Sequence, residues 1–110
     1  MREELLKQIL AFRDNRNWEQ FHNPKDLAIS LSIEASELLE IFQWKSSEEA
    51  VQSKKEQIAD EIADVLVYAV YLAQSLELDL EDIILAKLKK NEAKYPIEKA
   101  FGKKEKYTDL

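Results

Sequence analysis

The chain has 110 residues, 45% of them hydrophobic and 35% charged, with one glycine, two prolines and no cysteine. That balance suits a folded protein with a modest core, and so little glycine and proline leaves scant material for hairpins, so a single all-α domain over 1–110 is expected. The lack of cysteine removes disulfides and thiolate sites, in keeping with a reducing cytoplasm, and the net charge of −6 speaks against general nucleic-acid binding.

Four helices are read in chain order. The first, roughly 2–15, carries Leu5, Leu6, Ile9, Leu10, Phe12 and Arg13 at helical spacing. The segment NRNWEQFHNPKD that follows is a loop by composition, and its Asn23-Pro24 pair suits a helix start, since Asn caps and Pro fits the first helical position. The second helix then runs to about Trp44. Ser46 followed by Glu49 resembles a capping box and opens the third, which continues through EQIADEIADVLVYAVYLAQSL to about Leu76. Asp79 and Asp82 start the fourth, which ends near Tyr95 because Pro96 cannot extend it. Residues 96–110 have weak periodicity and read as a C-terminal surface arm.

Met1-Arg-Glu-Glu-Leu has no apolar signal core, and the longest apolar run, Val65 to Ala73, falls well short of the roughly 20 residues of a spanning helix, so no membrane association is expected. From Ile62 to Ala73 nearly every position is apolar on all faces. Such a helix must be buried all round, which calls for a partner subunit and predicts an oligomer.

The second and third helices carry the chemistry. Glu34 and Glu37 form one E-x-x-E pair, and Glu61 and Asp64 form an E-x-x-D pair 23 residues further on, both set among aliphatic residues. If the two helices pack antiparallel, four carboxylates converge. Two unit charges about 5 Å apart repel by roughly 3 kcal/mol at an effective dielectric of 20, so such a cluster needs protons or cations. All-oxygen ligands favour Mg²⁺, with Mn²⁺ as a substitute. A di-iron centre would want Glu-x-x-His pairs, and the only histidine, His22, lies in the first loop. Acidic pairs at this spacing are also common on plain solvated faces, as Glu40, Glu48, Glu49, Glu56 and Asp60 are read to be.

Charge is divided along the chain. Residues 1–86 hold 8 Lys or Arg against 18 Asp or Glu, whereas residues 87–110 hold 8 Lys against 4 acids. The split fits metal cations in the body and an anionic ligand near the C-terminus; it equally fits solvated surface with lysines complementing a helix end. Lys87, Asn91 and Lys94 recur on one face of the fourth helix, where they suit either phosphate binding or a lysine-rich helix end.

The E-x-x-E and E-x-x-D pairs, together with NWEQFHNP, ELLEIFQWK, EIADVLVYAVYLA, KLKKNEAKYP and GKKEKYTDL, resemble the MazG-like all-α nucleoside triphosphate pyrophosphohydrolases, nearest the dCTP pyrophosphatase branch. The resemblance implies a four-helix bundle working as a homodimer or homotetramer. It implies Mg²⁺-dependent hydrolysis of a (deoxy)nucleoside triphosphate to monophosphate and pyrophosphate, which clears the nucleotide pool. Carried onto this chain, it makes Glu34, Glu37, Glu61 and Asp64 the metal ligands and catalytic acids; a carboxylate at the metal's edge, Glu37, is then the candidate to orient the attacking water as base. It assigns Trp18, Glu19, Gln20, Phe21, His22, Trp44 and Tyr68 to base and sugar, and Lys87, Asn91 and Lys94 to phosphate. Cytosine-preferring relatives carry a histidine on the first helix where this chain has Ile9, so only modest base selectivity is expected. The alternative is a non-catalytic helical module that binds nucleotide or dimerises without turnover.

Overall fold

The computed structural model describes residues 1–110 and is all-α. Its helices are α1 (Glu3–Asp14), α2 (Pro24–Ile41), α3 (Ser47–Ser75), α4 (Leu80–Lys94) and α5 (Ile97–Ala100), with 3₁₀ turns at Glu19–Phe21 and Tyr107–Asp109. The helix starts follow the capping residues. Asn23 Oδ1 accepts the Asp26 N–H at 2.9 Å, Ser46 Oγ accepts that of Glu49 at 3.2 Å and Asp79 Oδ1 accepts that of Asp82 at 2.9 Å. Each satisfies an amide that the first helical turn leaves unpaired.

The chain packs as two compact units, Met1–Leu78 and Asp79–Leu110. In the first, α2 and α3 form the main pair and α1 lies against α3. Leu27 of α2 and Ala50, Val70, Tyr71 and Ala73 of α3 are buried. The Tyr71 hydroxyl donates to the Ile9 carbonyl at 3.0 Å, pinning α1 to the C-terminal half of α3.

One boundary departs from the sequence reading. α2 stops at Ile41 rather than reaching Trp44, because the chain tightens into i→i−3 bonds (Phe42 N–H to Leu39 O, Gln43 N–H to Glu40 O) and then enters the left-handed region at Trp44, φ 65°. A bulky side chain rarely adopts that conformation, and no α-helix continues through it. α3 is not uniform either: Lys54, with φ −131° and ψ 21°, interrupts its first third. Burial all round α3 is also not reached within one chain, since Ile62 and Leu66 stay exposed, Leu66 at 55%.

In the second unit, α4 has no buried residue. The segment read as a weakly periodic arm instead holds α5 and the final turn. Tyr95 and Tyr107 meet edge to face at 5.9 Å, and Lys94 Nζ lies 4.8 Å from the Tyr107 ring centre. Gly102 takes φ 74°, a backbone region open to glycine at little cost, where the chain turns after α5. No helix is long and apolar enough to cross a membrane.

Candidate active site

Along α2, Ser30, Glu34, Glu37 and Ile41 follow one another at three- and four-residue steps; along α3 the matching series is Tyr68, Asp64, Glu61, Gln57 and Lys54. Such steps keep each series on one face. Because the helices run antiparallel, the two series face each other in opposite order. Ser30 and Tyr68 line one cleft, Glu34 meets Glu61 and Asp64, and Ile41 and Lys54 line another cleft.

At the centre, Glu34, Glu61 and Asp64 each offer a carboxylate oxygen, all within 4.8 Å of one another. Glu34 and Glu61 are half-buried and Asp64 is exposed. Glu34 Oε2 and Glu61 Oε2 are buried without a hydrogen-bond partner. The Glu34 pKa is raised to about 7, first by burial, then by hydrogen bonding of its protonated form to Glu61 and Glu37 and by the charges of Glu37 and Asp64. Glu37 lies outside the tight trio but beside Glu34, one turn along α2 and solvent-exposed. The four carboxylates read from the sequence therefore occupy one neighbourhood, three converging and the fourth at the rim. Glu40, Glu48, Glu49, Glu56 and Asp60 are exposed.

Two orphaned buried oxygens and an all-oxygen donor set are what a hard divalent cation would satisfy, since an acceptor buried without a donor costs about 1–3 kcal/mol. The residues present fit such an ion.

On one side of the trio lies a cleft of about 400 Å³ lined by Trp18, Phe21, His22, Asp26, Leu27, Ser30 and Tyr68. Four of the residues expected to hold a base thus come together. Tyr68 joins the cleft to the trio: burial raises its hydroxyl pKa, and the charges of Glu34, Asp64 and Glu37 add to the effect. His22 presents a buried Nδ1 with no partner. Burial, then the nearby Arg13 charge, lower its pKa, with Glu19 opposing, so the ring is neutral at pH 7.

Other expected contacts fall elsewhere. Glu19 pairs with Arg13 at 3.4 Å and lines a separate cleft of about 280 Å³ with Arg13, His22 and Tyr71. Gln20 Nε2 donates to the Asn17 carbonyl at 3.0 Å, closing the loop. Trp44 is 91% exposed and does not line the aromatic cleft, because it follows the opposite end of α2 from Ser30, on the order of 20 Å away at 1.5 Å per residue. Lys87, Asn91 and Lys94 share a face of α4 in the second unit, where the Lys94 ammonium already rests over Tyr107.

The sequence reading passed over Lys45, Lys54 and Gln57. With Glu37, Glu40, Ile41 and Glu61 they line a cleft of about 480 Å³ on the other side of the trio. The signal was present, since Lys54 and Gln57 precede Glu61 at helical steps.

The sequence pattern of the MazG-like family matches residues 29–110. Over 113 aligned residues the chain is 39% identical to dCTP pyrophosphatase 1 of Bos taurus, covering 98% of this chain and 67% of that protein. Against dCTP pyrophosphatase 1 of Homo sapiens the identity is 38%, over 98% of this chain and 66% of the relative. The chain thus spans about two thirds of the length of these mammalian proteins. Among solved structures, a pyrophosphatase from Archaeoglobus fulgidus is similar with a TM-score of 0.80 and 47% identity, covering 86% of this chain and 91% of that one.

Proposed function

This chain belongs to the MazG-like family, and we propose that it hydrolyses (deoxy)nucleoside triphosphates, dCTP among them, to the monophosphate and pyrophosphate in a Mg²⁺-dependent reaction. The observation that carries the reading is the trio of carboxylates, with two buried oxygens unsatisfied, joined through Tyr68 to an aromatic cleft. The relatives named for dCTP pyrophosphatase activity add to it.

Glu34, Glu37, Glu61 and Asp64 would hold the ion. Mg²⁺, or Mn²⁺ in its place, supplies neutralisation of phosphate charge and acidifies water when bound. The chain's residues do the rest. Trp18, Phe21 and Tyr68 sandwich the base, and the unpartnered His22 Nδ1 offers it or the sugar a polar contact. Exposed Glu37, at the edge of the trio, takes a proton from the attacking water. That water's oxygen bonds the α-phosphorus in line; the bond to the bridging oxygen breaks, and its electron pair leaves with pyrophosphate. Lys87 and Asn91 contact phosphate oxygens. Ile9 contributes its carbonyl to Tyr71 and no side-chain polar group, so base discrimination is modest.

The working form is a homodimer or homotetramer. Leu66, Ile62 and Ile33 are exposed on α2 and α3, and α4 exposes Ile84, Leu85 and Leu88. A second copy would cover these faces, and Trp44 would then reach a base from that copy and not from its own. A panel of nucleoside triphosphates with Mg²⁺, resolving pyrophosphate from orthophosphate, tests the reading. Monophosphate and pyrophosphate are expected, with dCTP among the better substrates. Nucleotide binding without turnover would make the chain a non-catalytic module.

A further inference from the structure

We propose that Lys54 and Lys45 form a leaving-group subsite that holds the β- and γ-phosphates, and then pyrophosphate, in the cleft opposite the base; the proposal rests on the pyrophosphohydrolase reading above. The sites follow one another in order along the two helices. On α2, Ser30 belongs to the aromatic cleft, Glu34 to the carboxylate trio, and Glu37, Glu40 and Ile41 to the second cleft. On α3, Tyr68, then Asp64 and Glu61, then Gln57 and Lys54 repeat that sequence of sites in the antiparallel sense. The trio therefore lies between an aromatic cleft and a cleft containing cations. A nucleotide extended along the two helices, with its base in the first and its α-phosphate at the trio, sends its remaining phosphates toward the second.

The scale agrees. From Glu61 to Lys54 the helix advances about 10 Å at 1.5 Å per residue, a gap that two phosphate groups and an extended lysine side chain fill between them. The local backbone is also unusual there. α3 leaves helical geometry at Lys54, φ −131° and ψ 21°, and the side chain is half-buried in the wall of the cleft rather than spread on the surface.

The plain alternative is that the two lysines neutralise Glu37, Glu40 and Glu61. Yet neither makes an ion pair within 4.0 Å, although three carboxylates share their cleft, whereas Lys7 pairs with Glu3 and Arg13 with Asp14 and Glu19. Ammonium groups in a cleft of about 480 Å³, with Gln57 as a further donor, present donors that a polyphosphate would accept from. As the bridging bond breaks, charge grows on the departing oxygen, and a fixed cation there stabilises it.

The experiment is calorimetric titration of inorganic pyrophosphate with Mg²⁺ into the full chain, as wild type, Lys54→Gln, Lys45→Gln, the double variant and Lys54→Arg, with dCMP titrated in parallel. Each Gln substitution should weaken pyrophosphate by about tenfold, the double variant by more, and dCMP by less than about twofold. Lys54→Arg, which keeps the charge, should retain most of the affinity and shows that position 54 accepts replacement without loss of fold. Pyrophosphate affinity in the double variant within about twofold of wild type, or no pyrophosphate binding by wild type, overturns the subsite. The reaction is judged separately: nucleotide turnover with unaltered pyrophosphate binding removes the subsite alone, whereas lysine-dependent pyrophosphate binding without turnover of any triphosphate removes the reaction and leaves the subsite.

Discussion

α3 and α4 are both rich in aliphatic side chains, and their fates differ. α3 buries Ala50, Val70, Tyr71 and Ala73 and carries Glu61, Asp64 and Tyr68 on the face toward α2. α4 buries nothing, and Leu85, at 54% exposure, stands open with Ile84 and Leu88. A helix of 15 residues is marginal in water on propensity alone. The contrast separates two jobs. In α3 apolar residues frame charges that must be held in place; in α4 they stand exposed, beside the lysine face that Lys87, Asn91 and Lys94 define.

If that division is right, substitutions in the two helices fail in different ways. Asp64→Asn and Glu61→Gln should cut turnover by about a thousandfold or more, with the oligomer unchanged. Both should melt no lower than wild type in EDTA, since each removes a repelling charge. Turnover by either variant within about tenfold of wild type would take the chemistry away from the α2–α3 face.

Leu85→Glu with Leu88→Glu should do the reverse. Wild type is expected to scatter light as a dimer or tetramer of the 12.9 kDa chain, and the double variant should shift toward 12.9 kDa at micromolar concentration. Wild type at the monomer mass would leave the exposed faces of α3 and α4 without the cover argued for them.

Much of this division was legible in the residues. Capping chemistry located the starts of α2, α3 and α4, and three-residue spacing on two apolar helices located the carboxylates. What escaped was set by backbone choices that no periodicity announces. The left-handed turn at Trp44 ends α2 early and puts that ring at the far end of the helix from the cleft holding Trp18. The break at Lys54 lies inside an otherwise regular pattern and forms part of the second cleft. Glu19 and Gln20 sit in the expected segment, but one is paired with Arg13 and the other ties down its own loop.

The two tryptophans divide along the same line. Trp18→Ala removes a wall of the aromatic cleft and should raise KM by about tenfold, since stacking on an aromatic is worth roughly 1–3 kcal/mol per base. Trp44→Ala should do so only where the oligomer is intact, and should lose its effect in the Leu85→Glu, Leu88→Glu background. Lys87→Ala should weaken all triphosphates alike, because phosphate contacts carry no information about the base. Values of kcat/KM for dCTP, dTTP, dATP and dGTP in these backgrounds decide it; a KM for Trp18→Ala within about twofold of wild type on all four bases would make that ring structural.

The smallest effect concerns the trio without metal. Glu34 has a pKa of about 7 in the folded chain against 4.5 as its ordinary value. Between those limits the folded protein keeps a proton that the unfolded chain has released, so stability falls as pH rises. The Glu34 contribution is complete below about pH 4.5 and lost as pH passes through about 7. With water reaching the cluster, the net change should be on the order of 1 kcal/mol. Thermal unfolding in EDTA at pH 5 and pH 8 should therefore show wild type losing more stability over that interval than Glu34→Gln, which has no proton to release. Adding Mg²⁺ at pH 8 should restore wild type, because a ligand that binds the ionised carboxylates of the folded state stabilises that state, and should restore Glu34→Gln less. Parallel slopes for the two proteins, with equal gains from Mg²⁺, would mean that Glu34 is solvated like any surface acid. The crowded, repelling trio would then have no counterpart in solution, and α3 would frame no more charge than α4 does.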